Sequence, residues 1–402
     1  MTPHFSRNIP HSSLNELPET PFYYYDTHLL QRTLENIKSC IAQHDDYVVH
    51  YAIKANTTPT VLSAISSKGF GADCVSGGEI KVAINAGFDP GKIVFAGVGK
   101  TDKEIAYALE VGIFCFNVES LPEIDAINEI AVRKNLKARL AIRVNPNVDA
   151  HSHPKITTGL NENKFGIDIP HLLPAIKRIQ SLEGVELIGL HFHIGSQITD
   201  LRVFETLCER INELQTELEL HNVHLRHINV GGGLGINYKE PHLEKIAPFR
   251  EYFEVFGKKL FLRPGQTLHF ELGRSVVAQC GTLLSRVVYV KQGSHRKFVI
   301  LDAGFSDLAR VAMYGAYHHI ENLGSSDMSA RPLEYCDIVG PICESSDVFA
   351  QGRLINQCRR GDVVAIRSAG AYGITMASTY NCRPLPASFS DLDFTFDGGK
   401  LR

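Results

Sequence analysis

The run HYAIKAN at residues 50–56 drives Tyr51, Ala52 and Ile53 toward a core and follows them at once with Lys54. Partial burial penalises an ammonium, so such a lysine holds a neutral amine more readily, and a neutral amine attacks carbonyl carbon. Four other stretches place chemistry-bearing residues at the ends of apolar runs. They are Asp73 in GADC (71–74), His191 and His193 in HFHIGS (191–196), the glycines of GGGLG (231–235), and Glu271 with Gly273 and Arg274 in ELGR (271–274). A glycine run exposes bare backbone N–H groups to a phosphate. An imidazole offers a flat platform, and a carboxylate can keep a proton on a ring nitrogen. Each also has a plainer reading when taken alone. Lys54 could snorkel from a strand end, Asp73 could cap a turn, and GGGLG could be only a tight turn. Glu271 and Arg274 could pair on the surface, and the two histidines, at i and i+2, could ligate a metal.

What must position these residues is legible as an alternation. Short β-branched or aromatic runs occur near 48–53, 71–74, 93–96, 113–116, 138–144, 187–193, 226–230 and 267–271. Between them, helical periodicity runs over 29–43, 57–67, 77–86, 101–110, 120–134, 171–181, 203–220 and 241–257. Eight strands alternating with helices predict an α/β fold, a (β/α)8 barrel, with an open doubly wound sheet as the alternative. In such a barrel, chemistry gathers at the C-terminal ends of the strands. The five stretches end or follow strands one, two, six, seven and eight. Taken jointly, an amine, a phosphate loop, an imidazole platform and a carboxylate fit pyridoxal 5'-phosphate. After about residue 270 the texture changes to strands parted by turns, and PFYYYD (21–26) is strand-like too. The expected organisation is a barrel over 28–269 and a β-rich sandwich or barrel domain built from 1–27 and 270–402.

The 402 residues carry a net charge of −3, which advertises no face for nucleic acid. No long apolar run suits a membrane span, and the N-terminal stretch lacks the apolar core of a signal peptide. The nine cysteines form no CxxC pair. Their spacing suits neither a zinc site nor a disulfide framework, so a cytoplasmic protein without a metal is expected.

The chain resembles the barrel-type (fold type III) pyridoxal-phosphate decarboxylases over nearly its whole length. The resemblance is carried by YAIKAN (51–56), GADCVSGGEI (71–80), HFHIGSQ (191–197), VGGGLGI (230–236), CESSDVF (343–349) and GAYGITMASTYN (370–381). NPNVDAHSHPKITTGLNENKFGI (145–167) is similar to the branch acting on meso-2,6-diaminopimelate rather than on ornithine or arginine. The resemblance implies a lyase that releases carbon dioxide and L-lysine in the last step of lysine biosynthesis. It implies Lys54 as the Schiff-base lysine, His193 against the cofactor ring, and Asp73 near it. Ser196, Gly231, Gly232, Gly233, Gly273, Arg274 and Tyr372 are implied around the phosphate, and Glu271 at the pyridine nitrogen. Arg310 and Tyr314 would grip the distal carboxylate of the substrate, with Arg274 and Tyr372 contributing. Cys343, the implied proton donor, and Glu344 would come from the partner subunit of a homodimer with shared sites.

Two departures from the family pattern are visible. Leu272 stands where proline is usual, and Ser346 where glycine is usual. Plainer readings remain for several positions: Cys343 as a small buried residue, Arg310 on the surface, Tyr314 and Tyr372 as ordinary half-buried tyrosines, and Lys164 as a solvated loop lysine. The competing functions are decarboxylation of another basic amino acid or of carboxynorspermidine, a non-enzymatic pyridoxal-phosphate homeostasis protein, and a metal-dependent hydrolase using His191, His193 and Glu271.

Overall fold

A computed structural model describes residues 17–148, 164–324 and 331–393, and the backbone of two short strands at 396–397 and 400–401. Most of the 145–167 stretch lies outside the described residues. A strand β1 (Phe22–Tyr25) and helix α1 (Thr27–Ile41) come first. Strands and helices then alternate: β2 (Tyr47–Ala52), α2 (Pro59–Ser66), β3 (Gly71–Cys74), α3 (Gly77–Asn85), β4 (Ile93–Phe95), α4 (Asp102–Glu110), β5 (Cys115–Val118) and α5 (Leu121–Arg133). They continue through β6 (Ala138–Asn145), a two-residue β7 (Ile167–Asp168), α6 (Ile169–Gln180), β8 (Val185–His191), α7 (Arg202–Leu220), β9 (His227–Asn229), α8 (Phe249–Lys259) and β10 (Thr267–Leu272). Apart from β7, which only extends β6, these strands pair in parallel as β2–β3–β4–β5–β6–β8–β9–β10, and β10 returns to β2. Closure decides for the barrel and against the open sheet.

The chain groups into two compact units. The barrel unit comprises 33–235 and 247–276, and the β unit comprises 1–32, 236–246 and 277–402. The segment 236–246, which lies between barrel strands in sequence, therefore belongs with the β unit. The helix expected over 241–257 is correspondingly shorter. Pro248 disfavours helical backbone at the residue before it and caps the helix that does form, Phe249–Lys259.

Local chemistry starts the barrel helices. The Ser76 side chain accepts from the Glu79 N–H at the start of α3, Ser120 does the same for Glu123 at α5, and Thr101 with Glu104 closes a reciprocal cap on α4. Each cap stabilises its helix by about 1 kcal/mol. Alternation along the strands divides the core. On β10, Phe270 faces the helices, with ring centroids 4.9 Å from Phe253 and 5.2 Å from both Phe256 and Tyr47. Its neighbours His269 and Glu271 turn to the barrel interior, which is polar.

Toward the N-terminal ends of the strands, that interior holds a hydrogen-bonded run of neutral imidazoles. His50 Nδ1 lies 3.0 Å from the Lys92 carbonyl oxygen and must donate to it. His50 Nε2 then accepts from His269 Nδ1 at 2.8 Å, and His269 Nε2 accepts from the Thr267 hydroxyl at 2.9 Å. The His227 ring sits 3.8 Å from that of His269, and neither of its nitrogens has a hydrogen-bond partner among the described residues. Burial is the main cause that pushes His50 down to about 4, His227 to about 3 and His269 well below the usual imidazole range.

After the barrel come α9 (Arg274–Val277), β11 (Gly281–Gln292), β12 (Lys297–Leu301), α10 (Arg310–Tyr314), β13 (Ile320–Gly324), β14 (Leu333–Val339), β15 (Val348–Asn356), β16 (Val363–Ile366) and β17 (Ala387–Ser390). They form a mixed sheet in the order β13–β16–β11–β12–β14–β15. The expected contribution of the N-terminal strand is present: β1 pairs antiparallel to β11 and parallel to β17. Phe22, Tyr24, Leu284, Leu323, Val363 and Ala365 pack together as part of this unit's core.

Candidate active site

The C-terminal rim of the barrel collects the residues singled out in sequence. Lys54 lies in the single 3-10 turn that follows β2, and Asp73 near the end of β3. The Lys54 Nζ donates to Asp73 Oδ2 at 2.6 Å. Asp73 is fully buried while Lys54 is half-exposed, so the pair stands at the mouth of the site. Burial raises the Asp73 carboxyl above its ordinary range, and the nearby charge of Glu271 adds to that.

Glu271 is clamped by three side chains. Asn229 Nδ2 donates to its Oε1 at 2.8 Å, Asn117 Nδ2 to the same oxygen at 3.2 Å, and His191 Nε2 to Oε2 at 3.0 Å. Burial opposes ionisation of Glu271. The His191 contact and the positive charge of Lys54 outweigh it and hold the carboxyl well below the usual range. A carboxylate has about four acceptor positions, and three are used here, which leaves one for a further donor. Leu272, in place of the usual proline, stays in the strand in register with Tyr51 and is buried, so β10 delivers Glu271 in regular geometry.

The glycine loop is built for close approach. Gly231 has φ of 68°, and a Cβ on it would sit 2.2 Å from the Phe192 carbonyl oxygen. A Cβ on Gly232 would sit 1.9 Å from the Glu271 carbonyl oxygen. Gly232 N–H donates to His193 Nδ1 at 3.3 Å, and Ile198 N–H donates to the Gly233 carbonyl oxygen at 2.8 Å, zipping the two loops together. Arg274 Nη2 donates to Ser196 Oγ at 2.9 Å. Desolvation first, then the cations Arg143 and Lys54, push His193 down to about 3, so its ring is neutral. We expect Gly232→Ala to lose the loop: a β-carbon cannot fit, and cofactor retained after gel filtration should fall at least about tenfold. Wild-type retention would show that the loop yields.

These residues fit a pyridoxal phosphate. They supply an amine, hydroxyl, guanidinium and backbone N–H donors for a phosphate, and a spare carboxylate acceptor. Three buried atoms at this rim, Asp73 Oδ1, Asn117 Oδ1 and His191 Nδ1, have no hydrogen-bond partner among the described residues. Orphaned polar atoms are costly and mark a place shaped around a polar guest.

The remaining sequence candidates lie in the β unit. Arg310 is buried at the start of α10, and Tyr314, at its end, is half-buried. Cys343 and Glu344 are exposed on one loop. The Cys343 N–H donates to Asn381 Oδ1 at 3.2 Å, and the Tyr380 hydroxyl donates to Glu344 at 2.6 Å. Ser346 is exposed on the same loop, whose ends are tied by Asp347 through Ile342 and Phe305 N–H groups. Tyr372 is half-buried with φ of 55°, a left-handed conformation that a bulky residue adopts only when its surroundings enforce it.

Sequence reasoning missed the supports. Asn117, next to last in β5, and Asn229, last in β9, read as turn formers, although a polar residue near a barrel strand end was the available signal. The brace Arg143–Glu119 was also missed. Arg143 Nη1 meets Glu119 Oε1 at 3.1 Å, and the Glu119 carboxylate also accepts the Gly97 and Gly166 N–H groups. Among the described residues, His242, His319 and Glu321 bring ligand-type atoms within 4.8 Å of one another. Arg367 Nε already donates to Glu321, so a cation is in place there.

The model of the pyridoxal-dependent decarboxylase pyridoxal-binding domain matches residues 28–278. A diaminopimelate decarboxylase of Bacteroides thetaiotaomicron is 56% identical over 372 residues, covering 92% of this chain and 95% of the relative. The crystal structure of diaminopimelate decarboxylase from Helicobacter pylori complexed with L-lysine is similar, with a TM-score of 0.87 at 38% identity, covering 97% of this chain and 94% of that one. A lysine/ornithine decarboxylase from Vibrio vulnificus, complexed with cadaverine, shares the fold at 20% identity and a TM-score of 0.80.

Proposed function

The chain belongs to the pyridoxal-dependent decarboxylases, and within them to the diaminopimelate decarboxylases; from that premise we propose how its residues release carbon dioxide from meso-2,6-diaminopimelate and leave L-lysine. Bound pyridoxal phosphate supplies an aldehyde that condenses with amines and a ring that accepts the electron pair left by a departing carboxylate. Lys54 carries the amine that holds this aldehyde between turnovers, and Asp73 receives its hydrogen bond. Gly231, Gly232, Gly233, Ser196, Gly273, Arg274 and Tyr372 hold the phosphate, and His193 lies against the ring. Glu271, kept ionised by its clamp, would offer its last acceptor position to a protonated ring nitrogen and would stabilise that charge.

Arg310 and Tyr314 hold the distal carboxylate of the substrate, with Arg274 and Tyr372 contributing, and Glu344 receives the distal ammonium. An arginine grips a carboxylate bidentately. Ornithine and lysine lack that second carboxylate and would set a cation against Arg310. Cys343 Sγ supplies the proton that replaces the lost carboxylate. Its exposure, and that of Glu344, suits a loop lent to a second copy in a homodimer with shared sites. No described helix is long and apolar enough to cross a membrane, and all nine cysteines are free thiols. The free thiols support a place in the reducing cytoplasm.

The observation that carries this reading is the meeting of Lys54, the glycine cradle and the clamped Glu271 on one barrel rim, in a chain of this family. The test is carbon dioxide release by cofactor-loaded protein from meso-diaminopimelate, L-ornithine, L-lysine and carboxynorspermidine, compared at equal concentration. We expect diaminopimelate to exceed the others by about a thousandfold in kcat/KM, with L-lysine as product. Faster release from any of the other three would overturn the substrate assignment.

A further inference from the structure

We infer that His318 is a positioning residue for substrate selection: it sets the direction of the Arg310 guanidinium without touching substrate. The inference rests on the role given above to Arg310. Arg310 is only 5% exposed, and its Nη1 lies 2.9 Å from His318 Nε2. His318 Nδ1 lies 2.8 Å from the Arg367 carbonyl oxygen. A carbonyl oxygen only accepts, so Nδ1 bears the proton. An arginine N–H only donates, so Nε2 must present its lone pair. The two contacts together admit one form of His318, the neutral Nδ1–H tautomer.

A second constraint comes from an aromatic ring. The guanidinium carbon lies 5.0 Å from the centre of the Tyr238 ring, and that ring meets His318 edge-on at 5.1 Å and 79°. Arg310 is therefore held by an imidazole nitrogen at one Nη and by an aromatic ring over which its charge sits. The imidazole is itself fixed to the sheet. Arg367 follows β16 directly, its N–H donates to the His319 carbonyl oxygen at 2.8 Å, and β13 pairs with β16 through Ile320 and Ile366. The direction of the Arg310 fork is thus referred to paired strands rather than to a loop.

The consequence is selective. Bidentate recognition of a carboxylate depends on the plane and rotation of the guanidinium. A fork set in advance spends less rotamer freedom on binding. Loss of the His318 contact should weaken binding of a substrate with a distal carboxylate while leaving the chemistry at the cofactor alone.

Two variants separate this from a structural role. His318→Asn keeps a donor near the position of Nδ1 for the Arg367 carbonyl but removes the acceptor at Nε2. His318→Gln returns a side-chain carbonyl near the position of Nε2. With cofactor-loaded protein and meso-diaminopimelate, we expect His318→Asn to raise KM about ten- to a hundredfold, with kcat and cofactor content unchanged. His318→Gln should recover most of that rise. On an Arg310→Ala background, His318→Asn should change KM by less than about twofold, because the coupled partner is gone. A wild-type KM in His318→Asn beside a raised KM in Arg310→Ala would overturn the inference alone. Equal losses in both His318 variants, an effect confined to kcat, unfolding of both, or an undiminished effect on the Arg310→Ala background would overturn it as well. An unaltered KM in Arg310→Ala would instead remove the role of Arg310 on which the inference stands.

Discussion

Glu271→Gln is expected to lower kcat by roughly 10²–10³-fold while the protein keeps its fold. The reason lies in what surrounds position 271. Asn117 and Asn229 both donate to Oε1, and a glutamine carbonyl can accept both bonds in the same place. The glutamine amide then faces His191 Nε2, which can accept by moving its proton to Nδ1, a nitrogen with no partner among the described residues. Packing and hydrogen bonding therefore survive the exchange, and what is lost is the negative charge. A neutral amide cannot hold a proton on the cofactor nitrogen, so the ring drains charge poorly. Glu271→Leu differs in kind. It leaves three buried donors unsatisfied at about 1–3 kcal/mol each, and it should unfold the barrel or melt far below wild type. Steady-state kinetics with a thermal melt on both variants checks the pair of outcomes. Wild-type kcat in Glu271→Gln would mean that the charge at this position is not used.

Acid should unfold the barrel steeply between pH 6.5 and about 4. His50 at about 4, His227 at about 3 and His269, further depressed, stay neutral in the folded protein, while an unfolded chain protonates all three near 6.5. Their folded values are depressed, so their contribution is complete above pH 6.5 and is lost as pH falls. Glu79 acts the other way: burial raises it to about 7, so the folded state keeps a proton there that the unfolded chain releases. His193, also held at about 3 when folded, adds a fourth proton taken up on unfolding. Four protons taken up by the unfolded chain against one retained by the folded protein leave a net of three from these groups, or about 4 kcal/mol per pH unit. His227→Leu removes one titrating group whose ring nitrogens have no hydrogen-bond partner among the described residues. It should flatten the slope by about 1.4 kcal/mol per pH unit without lowering kcat. Denaturant melts across this window measure both slopes. Equal slopes in wild type and His227→Leu would show that His227 titrates normally in the folded protein.

How much of this was legible in sequence varied with the range of the interaction involved. Strand positions were readable because each barrel strand is a short apolar run closed by a turn, and side-chain caps at Ser76, Thr101 and Ser120 mark the helices that follow three of them. The helix over 241–257 was misplaced because apolar spacing carries through Pro241 and Pro248, whereas backbone sterics do not. Lys54, Asp73, Glu271 and the glycine loop stood out because reactive side chains at strand ends are unusual. Their supports did not stand out. The bond from Asn117 to Glu271 spans 154 residues, and an asparagine near a strand end looks like a turn former. His318 reads as one of two adjacent histidines, and only the Arg367 carbonyl, 49 residues away, fixes its tautomer. Closure of the ring was equally invisible, since it depends on which strand β10 pairs with and not on what β10 contains.

The central claim, that Lys54 bears the amine joined to the cofactor, is tested most directly by borohydride reduction of the loaded protein followed by protease digestion and mass spectrometry. The account predicts a single peptide carrying the reduced cofactor, with the added mass on Lys54. Stable modification of a different lysine, or a yellow protein that borohydride leaves unmodified, would contradict it.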